Sequence, residues 1–191
     1  NDRHAHYWDF TDLPLVYQAF FGSQLNEIGV QVNWLAPLPF YLLIGGEILK
    51  GENEASFGTE GFAPGTPYSA VEDAEYPNVC TSYIKTSFDL GNFTLLLGAS
   101  GIYGKTRTNH SIDTAGGHAF YGTSYIAGAD ITLRYDVSSY QYIALQSEYL
   151  YRYKNGDLYE NSGGTITKDD FTAKQSGLYS QLIVRTGKVT R

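Results

Sequence analysis

The chain of 191 residues carries one cysteine, Cys80, and no methionine, and only 17% of its residues are charged. A soluble domain usually holds roughly 25%. A single cysteine can build neither an intrachain disulfide nor a zinc ribbon. Nowhere do 18 apolar residues run together, so no transmembrane helix is expected. There is no basic block, and the net charge of −7 argues against a nucleic-acid partner. Neither a glycine triplet nor a heptad repeat is present, which removes collagen and coiled coil. No Gly-x-Ser-x-Gly elbow occurs, and the four histidines all fall in expected loops, so an enzyme is not expected.

What is abundant is tyrosine (17), phenylalanine (10) and glycine (21), arranged with a period of two. In Leu25 to Leu35, Ile28, Val30, Val32 and Trp34 share one face, and Glu27, Gly29, Gln31 and Asn33 the other. Pro39 to Lys50 follows directly. A hairpin centred on Pro37 would set Trp34 against Phe40, Val32 against Leu42, Val30 against Ile44, and Glu27 against Glu47.

The pattern returns in Asn78 to Phe88 with Phe93 to Gly104, in Thr123 to Arg134 with Tyr140 to Tyr153, and in Ser176 to Thr186. One face collects Ile84, Phe88, Phe93, Leu95, Leu97, Tyr125, Ile131, Leu133, Ile143, Leu145 and Tyr149. The other collects Tyr83, Lys85, Asp130, Arg134, Gln146, Glu148, Arg152 and Arg185. Cys80 falls on the apolar face. These are seven strands. An eighth, in Leu13 to Phe21, is weakened by Pro14.

The connections alternate. Three are tight (36–38, 89–92, 135–139), and three are long and polar (51–77, 105–122, 154–175). Outer-membrane barrels sort their connections this way, with short periplasmic turns and long extracellular loops. Trp34, Phe40, Phe88 and Phe93 lie near the tight turns; Tyr103, Tyr125, Tyr149, Tyr151 and Tyr153 lie near the long loops. Two aromatic belts around an aliphatic band mark a barrel's two interfaces. A soluble, tyrosine-rich sandwich or lipocalin-like barrel is the alternative. Turning the faces over would place Asp130, Arg134, Glu148 and Arg152 in hydrocarbon, so the charges are expected to point inward.

The expectation is therefore an all-β antiparallel transmembrane barrel, with 25–191 as strands and loops and 1–24 as a loop or plug-like segment at its mouth. Seven strands leave an edge that lipid does not tolerate, so a portion of a larger barrel is expected. Gln31, Asn33, Glu27, Glu47, Lys85, Asp130, Arg134, Gln146, Glu148, Arg152 and Arg185 would line the pore. The residues His4, His6, Asp9 and Asp12, with Glu27 and Glu47 nearby, have the donor types that suit zinc or another borderline cation. The same residues would equally brace a loop folded into the barrel, anchored by Trp8 and Phe10. His110 and His118 lie in a glycine-rich loop, where metal binding is one outcome and solvated imidazoles are the commoner one.

His4-Ala5-His6-Tyr7-Trp8-Asp9-Phe10-Thr11-Asp12-Leu13-Pro14-Leu15 and Gln18-Ala19-Phe20-Phe21-Gly22 carry a resemblance, as do Asn33-Trp34-Leu35-Ala36-Pro37, Gly45-Gly46-Glu47 and Gln146-Ser147-Glu148-Tyr149-Leu150 with Arg152. The chain resembles a bacterial outer-membrane porin family, whose members are often labelled zinc-regulated TonB-dependent outer-membrane receptors. The resemblance implies outer-membrane location, contact with lipid and lipopolysaccharide, and passive passage of small solutes or ions, with a homo-oligomer as one arrangement. Members are about twice this length. Neither a TonB box nor a plug domain is recognisable. A non-transporting surface barrel or adhesin, whose loops bind a partner, is the competing expectation. No cofactor is required, a divalent cation such as zinc being the only candidate.

Overall fold

A computed structural model describes residues 13–187. Seven strands form one antiparallel meander: β1 Gly29–Leu35, β2 Tyr41–Leu49, β3 Val79–Leu90, β4 Phe93–His110, β5 His118–Ser138, β6 Gln141–Ser162 and β7 Thr165–Arg185. Each strand pairs with its sequence neighbour, and among the described residues β1 and β7 keep one edge each without a partner strand. The protein is thus all-β, and among the described residues there are two short helices and a sheet that is open rather than a closed barrel.

Alternation in the sequence becomes alternation across this sheet, because successive strand side chains point to opposite faces. On one face Ile44, Ile84, Ala99, Ala129, Tyr149 and Leu178 stand in one row. On the other Lys85, Gly98, Asp130, Glu148 and Tyr179 do. The first face is open: Val30, Val32, Ile131, Leu133, Ile143, Leu145, Leu182 and Val184 are all exposed. The second is covered by the two helices, α1 Leu15–Phe21 and α2 Glu54–Phe57. Val16, Phe20, Phe21 and Phe57 pack there on Leu49, Val79, Ile126 and Leu150.

Several sequence expectations change. The stretch Leu13 to Phe21 is not a strand but contains α1. Pro14 precedes it and Gly22 ends it at a φ of 69°; proline at a helix start and glycine at its end is the usual bracketing. Its apolar residues fall at helical i, i+4 spacing, Val16 with Phe20 and Tyr17 with Phe21. The first hairpin slides. Trp34 faces Ile44 rather than Phe40, Val32 faces Gly46, and Val30 faces Ile48. The slide preserves parity, so the faces stand, but Glu27 no longer opposes Glu47. The wider five-residue connection at 36–40 holds Pro37 and Pro39, which lack the N–H a ladder requires.

Two of the three long loops are mostly strand. Residues 105–110 and 118–122 continue β4 and β5 as a paired ladder down to His110 opposite His118. Residues 154–175 are β6 and β7, joined by a turn at Gly163 and Gly164, whose φ values of 64° and 94° suit a two-residue hairpin. Only residues 50–78 form a long connection. That segment crosses the sheet edge where β4 has outrun β3, the Arg107 amide donating to the Gly58 carbonyl at 2.7 Å. It then packs Phe62, Tyr68 and Val71 with Ile112, Ala119 and Tyr159 in a second apolar cluster.

The tight turns are staggered. Tyr41, the first residue of β2, pairs with Ser87, and β3 runs three residues further, to Leu90. Phe93 pairs with Tyr135, and β5 again runs three further, to Ser138. A progressive shear in one direction is the geometry of tilted barrel strands.

Gly122 and Gly156 stand opposite each other where the β4–β7 extensions leave the apolar band. A Cβ on Gly156 would lie 2.2 Å from the Tyr121 carbonyl oxygen and 2.4 Å from the Gly122 Cα. Backbone, unlike a flexible side chain, cannot step aside. Gly156→Val should therefore open the 118–162 pairing, at a cost on the order of 1–3 kcal/mol. The expected readout is faster protease cleavage within 111–122 and 156–165, with the β2–β4 region unchanged.

Candidate functional site

The candidate site is the covered face, where polar groups project from β1 to β7. At the β1–β3 side, the Gln31 amide donates to the Tyr83 hydroxyl, which donates to Asn33. Gly45 makes room for this: a Cβ there would meet Asn33 Oδ1 and Tyr83 Cζ at 2.4 Å. Glu47, opposite Gln31, accepts from the Thr81 hydroxyl at 2.9 Å. Glu27 turns to the backbone instead, accepting from the Gly51 amide at 3.1 Å and the Glu52 amide at 2.9 Å. The two carboxylates expected to face one another thus do separate work. Lys50 sits 2.6 Å from Glu52. That contact raises the ammonium above its ordinary range and lowers the carboxyl below its own.

The carboxylates that do oppose each other are Asp130 on β5 and Glu148 on β6. In the same row, Gly98 lets the Asp130 side chain lie across β4, since a Cβ there would fall 2.1 Å from Asp130 Oδ1. Lys85 is the next residue in the row, on β3. Glu148 accepts from the Tyr17 hydroxyl of α1. Two carboxylates that face each other repel, and the Tyr17 hydroxyl donor and the Lys85 ammonium in the same row offset this. Sequence alternation placed all three charges on one face; only the pairing register shows that they share a row.

Arg152 is the largest departure from a pore-lining role. It is 6% exposed. Its guanidinium donates to the carbonyls of Phe20 at 3.1 Å and Ala55 at 3.0 Å, to Ser56 Oγ at 2.7 Å, and to Gln175. It also lies 4.9 Å from the centre of the Phe20 ring. Among the described residues no carboxylate contributes to this set. An arginine presents a rigid fan of donors that never loses its charge, so one residue of β6 ties both helices to the sheet. Beside it, Lys154 Nζ donates to the Ala55 carbonyl at 2.9 Å.

Towards the tight turns, Gln181 donates to Gln146. Arg134 donates twice to Asp136 Oδ1, at 2.9 and 2.6 Å, and its guanidinium carbon stands 4.2 Å from the centre of the Tyr142 ring. Arg185 ends β7 opposite Tyr142, exposed. On the open face the aromatic residues form rows. The rings of Tyr103 and Tyr125 are 4.8 Å apart and those of Tyr125 and Tyr153 6.4 Å, above the band. Below it, Phe40 and Phe88 are 5.7 Å apart, and Phe93 and Tyr135 4.6 Å. Trp34 and Tyr149 are exposed within the band, and Tyr151 is part-exposed on the same face.

His4, His6, Asp9 and Asp12 lie outside the described residues. Among the described residues no group of three or more His, Cys, Asp or Glu side chains is gathered as a metal centre. Above the covered face a cavity of about 920 Å³ is bordered by Glu27, Glu52, Glu54, Lys154 and His110.

No family model matches the chain, and neither does any solved structure. The chain is 50% identical over 184 residues to an uncharacterized protein of Aquifex aeolicus (strain VF5). The match takes in 96% of this chain and 38% of that protein, so the chain spans about two-fifths of the relative's length.

Removing Arg152 strands several acceptors at once, at on the order of 1–3 kcal/mol for each one left buried and unpaired. Arg152→Met should therefore release α1 and the 50–57 segment from the covered face while the strands persist. Limited proteolysis would show new cleavage near residues 19–24 and 52–58 with unchanged far-ultraviolet dichroism. Arg152→Lys should rescue only part of the protection, because an ammonium lacks the fork geometry.

Proposed function

We propose that this sheet forms part of a transmembrane β-barrel in a bacterial outer membrane, acting as a porin-like channel for small solutes or ions. One observation carries the reading: a predominantly apolar face across the sheet, interrupted by small hydroxyl residues such as the paired Ser147 and Ser180 and bounded by aromatic rows at both ends. On β5 the band runs from Tyr125 to Tyr135. Ten steps of about 3.4 Å, tilted by about 40°, span about 25 Å, the height of a barrel's apolar band. Water would have to cover this whole surface otherwise, and exposed apolar patches of a few hundred Å² already mark an interaction site.

Two further features support it. The unpaired edges of β1 and β7 require partners in lipid, and every residue of β1 is exposed. A longer chain, such as the relative of which this one spans two-fifths, has room for the closing strands. The covered face supplies polar walls of mixed sign: Glu47, Asp130 and Glu148 with Lys85. That composition suits a weakly selective pore. The strand extensions beyond Tyr103, Tyr125 and Tyr153 would then project outside, towards lipopolysaccharide.

The filled covered face favours a second reading. Helices pinned inside by Arg152 would plug a narrow lumen, leaving a non-transporting surface barrel whose projecting hairpins bind a partner. Planar-bilayer recording on the full-length protein separates the two. Discrete conductance steps are the expected result, and silence from inserted, folded protein would support the plugged barrel.

Membrane embedding has its own test. Ile131→Lys, near the middle of the open band, should cost about 2–4 kcal/mol in folding into bilayers. Thr132→Lys, one residue away on the covered face, should cost far less. Equal costs would mean that the open face does not meet lipid.

A further inference from the structure

We propose that the tip of the β4–β5 hairpin binds a divalent transition-metal ion through His110 and His118. The two histidines are the last pair of the β4–β5 ladder, directly opposite each other, with ring centres 4.9 Å apart and planes inclined at 33°. Side chains opposite one another in an antiparallel pair share a face, their Cβ atoms about 4.5–5.5 Å apart. Two imidazole nitrogens each about 2.0–2.1 Å from one metal ion therefore need only side-chain rotation. Both rings are exposed and reach solvent.

The backbone beneath them is held in place. Asn161, buried on β6, donates from its side chain to the Ile112 carbonyl at 2.8 Å. Its own amide donates to the Gly117 carbonyl at 2.9 Å, and its carbonyl accepts from the Gly116 amide at 2.7 Å. Ile112 is buried in the second apolar cluster, and its amide donates to Asn109 Oδ1 at 3.1 Å. One residue, through its side chain and its backbone, thus clamps the loop between the two histidines, so little ordering remains to be done on binding. This separates the pair from two solvated loop histidines.

A carboxylate follows in the same row, one strand away rather than already gathered with the two rings. Glu160 on β6 is directly opposite His118 and is exposed. Two neutral imidazoles and one carboxylate, with water completing the shell, suit zinc, cobalt, nickel or copper rather than calcium or magnesium. His110 also borders the 920 Å³ cavity, whose Glu27, Glu52 and Glu54 carboxylates give a cation a favourable approach, Lys154 being the opposing charge. The site stands on the hairpin geometry alone and does not require the barrel.

Zinc titration of the full-length folded protein by calorimetry is the test, with cobalt absorption reporting the ligand set. One saturable site per chain is expected. His110→Ala and His118→Ala should each weaken it at least tenfold, and Glu160→Gln by several-fold. His4→Ala/His6→Ala should leave it intact. Copper added to the wild-type protein should broaden the His110 and His118 ring resonances, a reading that needs no variant to fold. Zinc binding that survives His110→Ala/His118→Ala, or is lost with His4→Ala/His6→Ala instead, overturns the assignment. So does an absence of saturable binding in the wild type.

Discussion

The backbone ladder that runs from β1 to β7 without a change of parity is the constraint on which everything else depends. A shift by a single residue at any of its six pairings would move a strand's whole apolar set to the opposite face. Because no such shift occurs within the band, Val32, Ile84, Leu97, Ile131, Leu145 and Leu182 lie on one surface. The register irregularity that does exist, between Asp136 and Ser138, sits at a turn. There it disturbs only the end of the band.

Sorting by parity leaves the other face polar, and a polar face buried beneath helices must find partners for its charges. Arg152 meets this demand with backbone carbonyls of the helices themselves. The attachment therefore works in both directions. The guanidinium is satisfied only because α1 and α2 are in place, and they are held because it is charged. Asp130 and Glu148 are accommodated differently, by the Tyr17 hydroxyl and by Gly98, which gives the Asp130 side chain space.

Beyond the aromatic row of Tyr103, Tyr125 and Tyr153 the physics changes. The β4–β7 extensions no longer present an aliphatic face, and the 59–73 segment wraps them with Phe62, Tyr68 and Val71. Asn161 then fixes the hairpin tip. The covered face and the clamped tip are thus separate units of packing on one sheet, and the functions proposed for them stand on separate observations.

Within the strands that it marked, alternation alone determined which face each residue takes, because a two-residue period survives any slide by an even step. It also located the tight turns, where Gly91 and the prolines at 37 and 39 interrupt the pattern. It did not determine which residues stand opposite. The first hairpin pairs Trp34 with Ile44, and the facing carboxylates are Asp130 and Glu148. Residues 154–175 read as loop because Asn155, Gly156, Asp157 and Gly163 are turn formers; cross-strand pairing overrides that local preference. Residues 15–21 read only as a weak strand, because a short, nearly continuous apolar run does not separate strand from helix by its period; Pro14 and Gly22 bracket the helix that forms. The burial of Arg152 and the meeting of His110 with His118 were decided by tertiary structure alone. Arg152 meets Phe20 and Ala55 from far along the chain, and His110 meets His118 only through the register of the β4–β5 ladder; period and propensity specify neither.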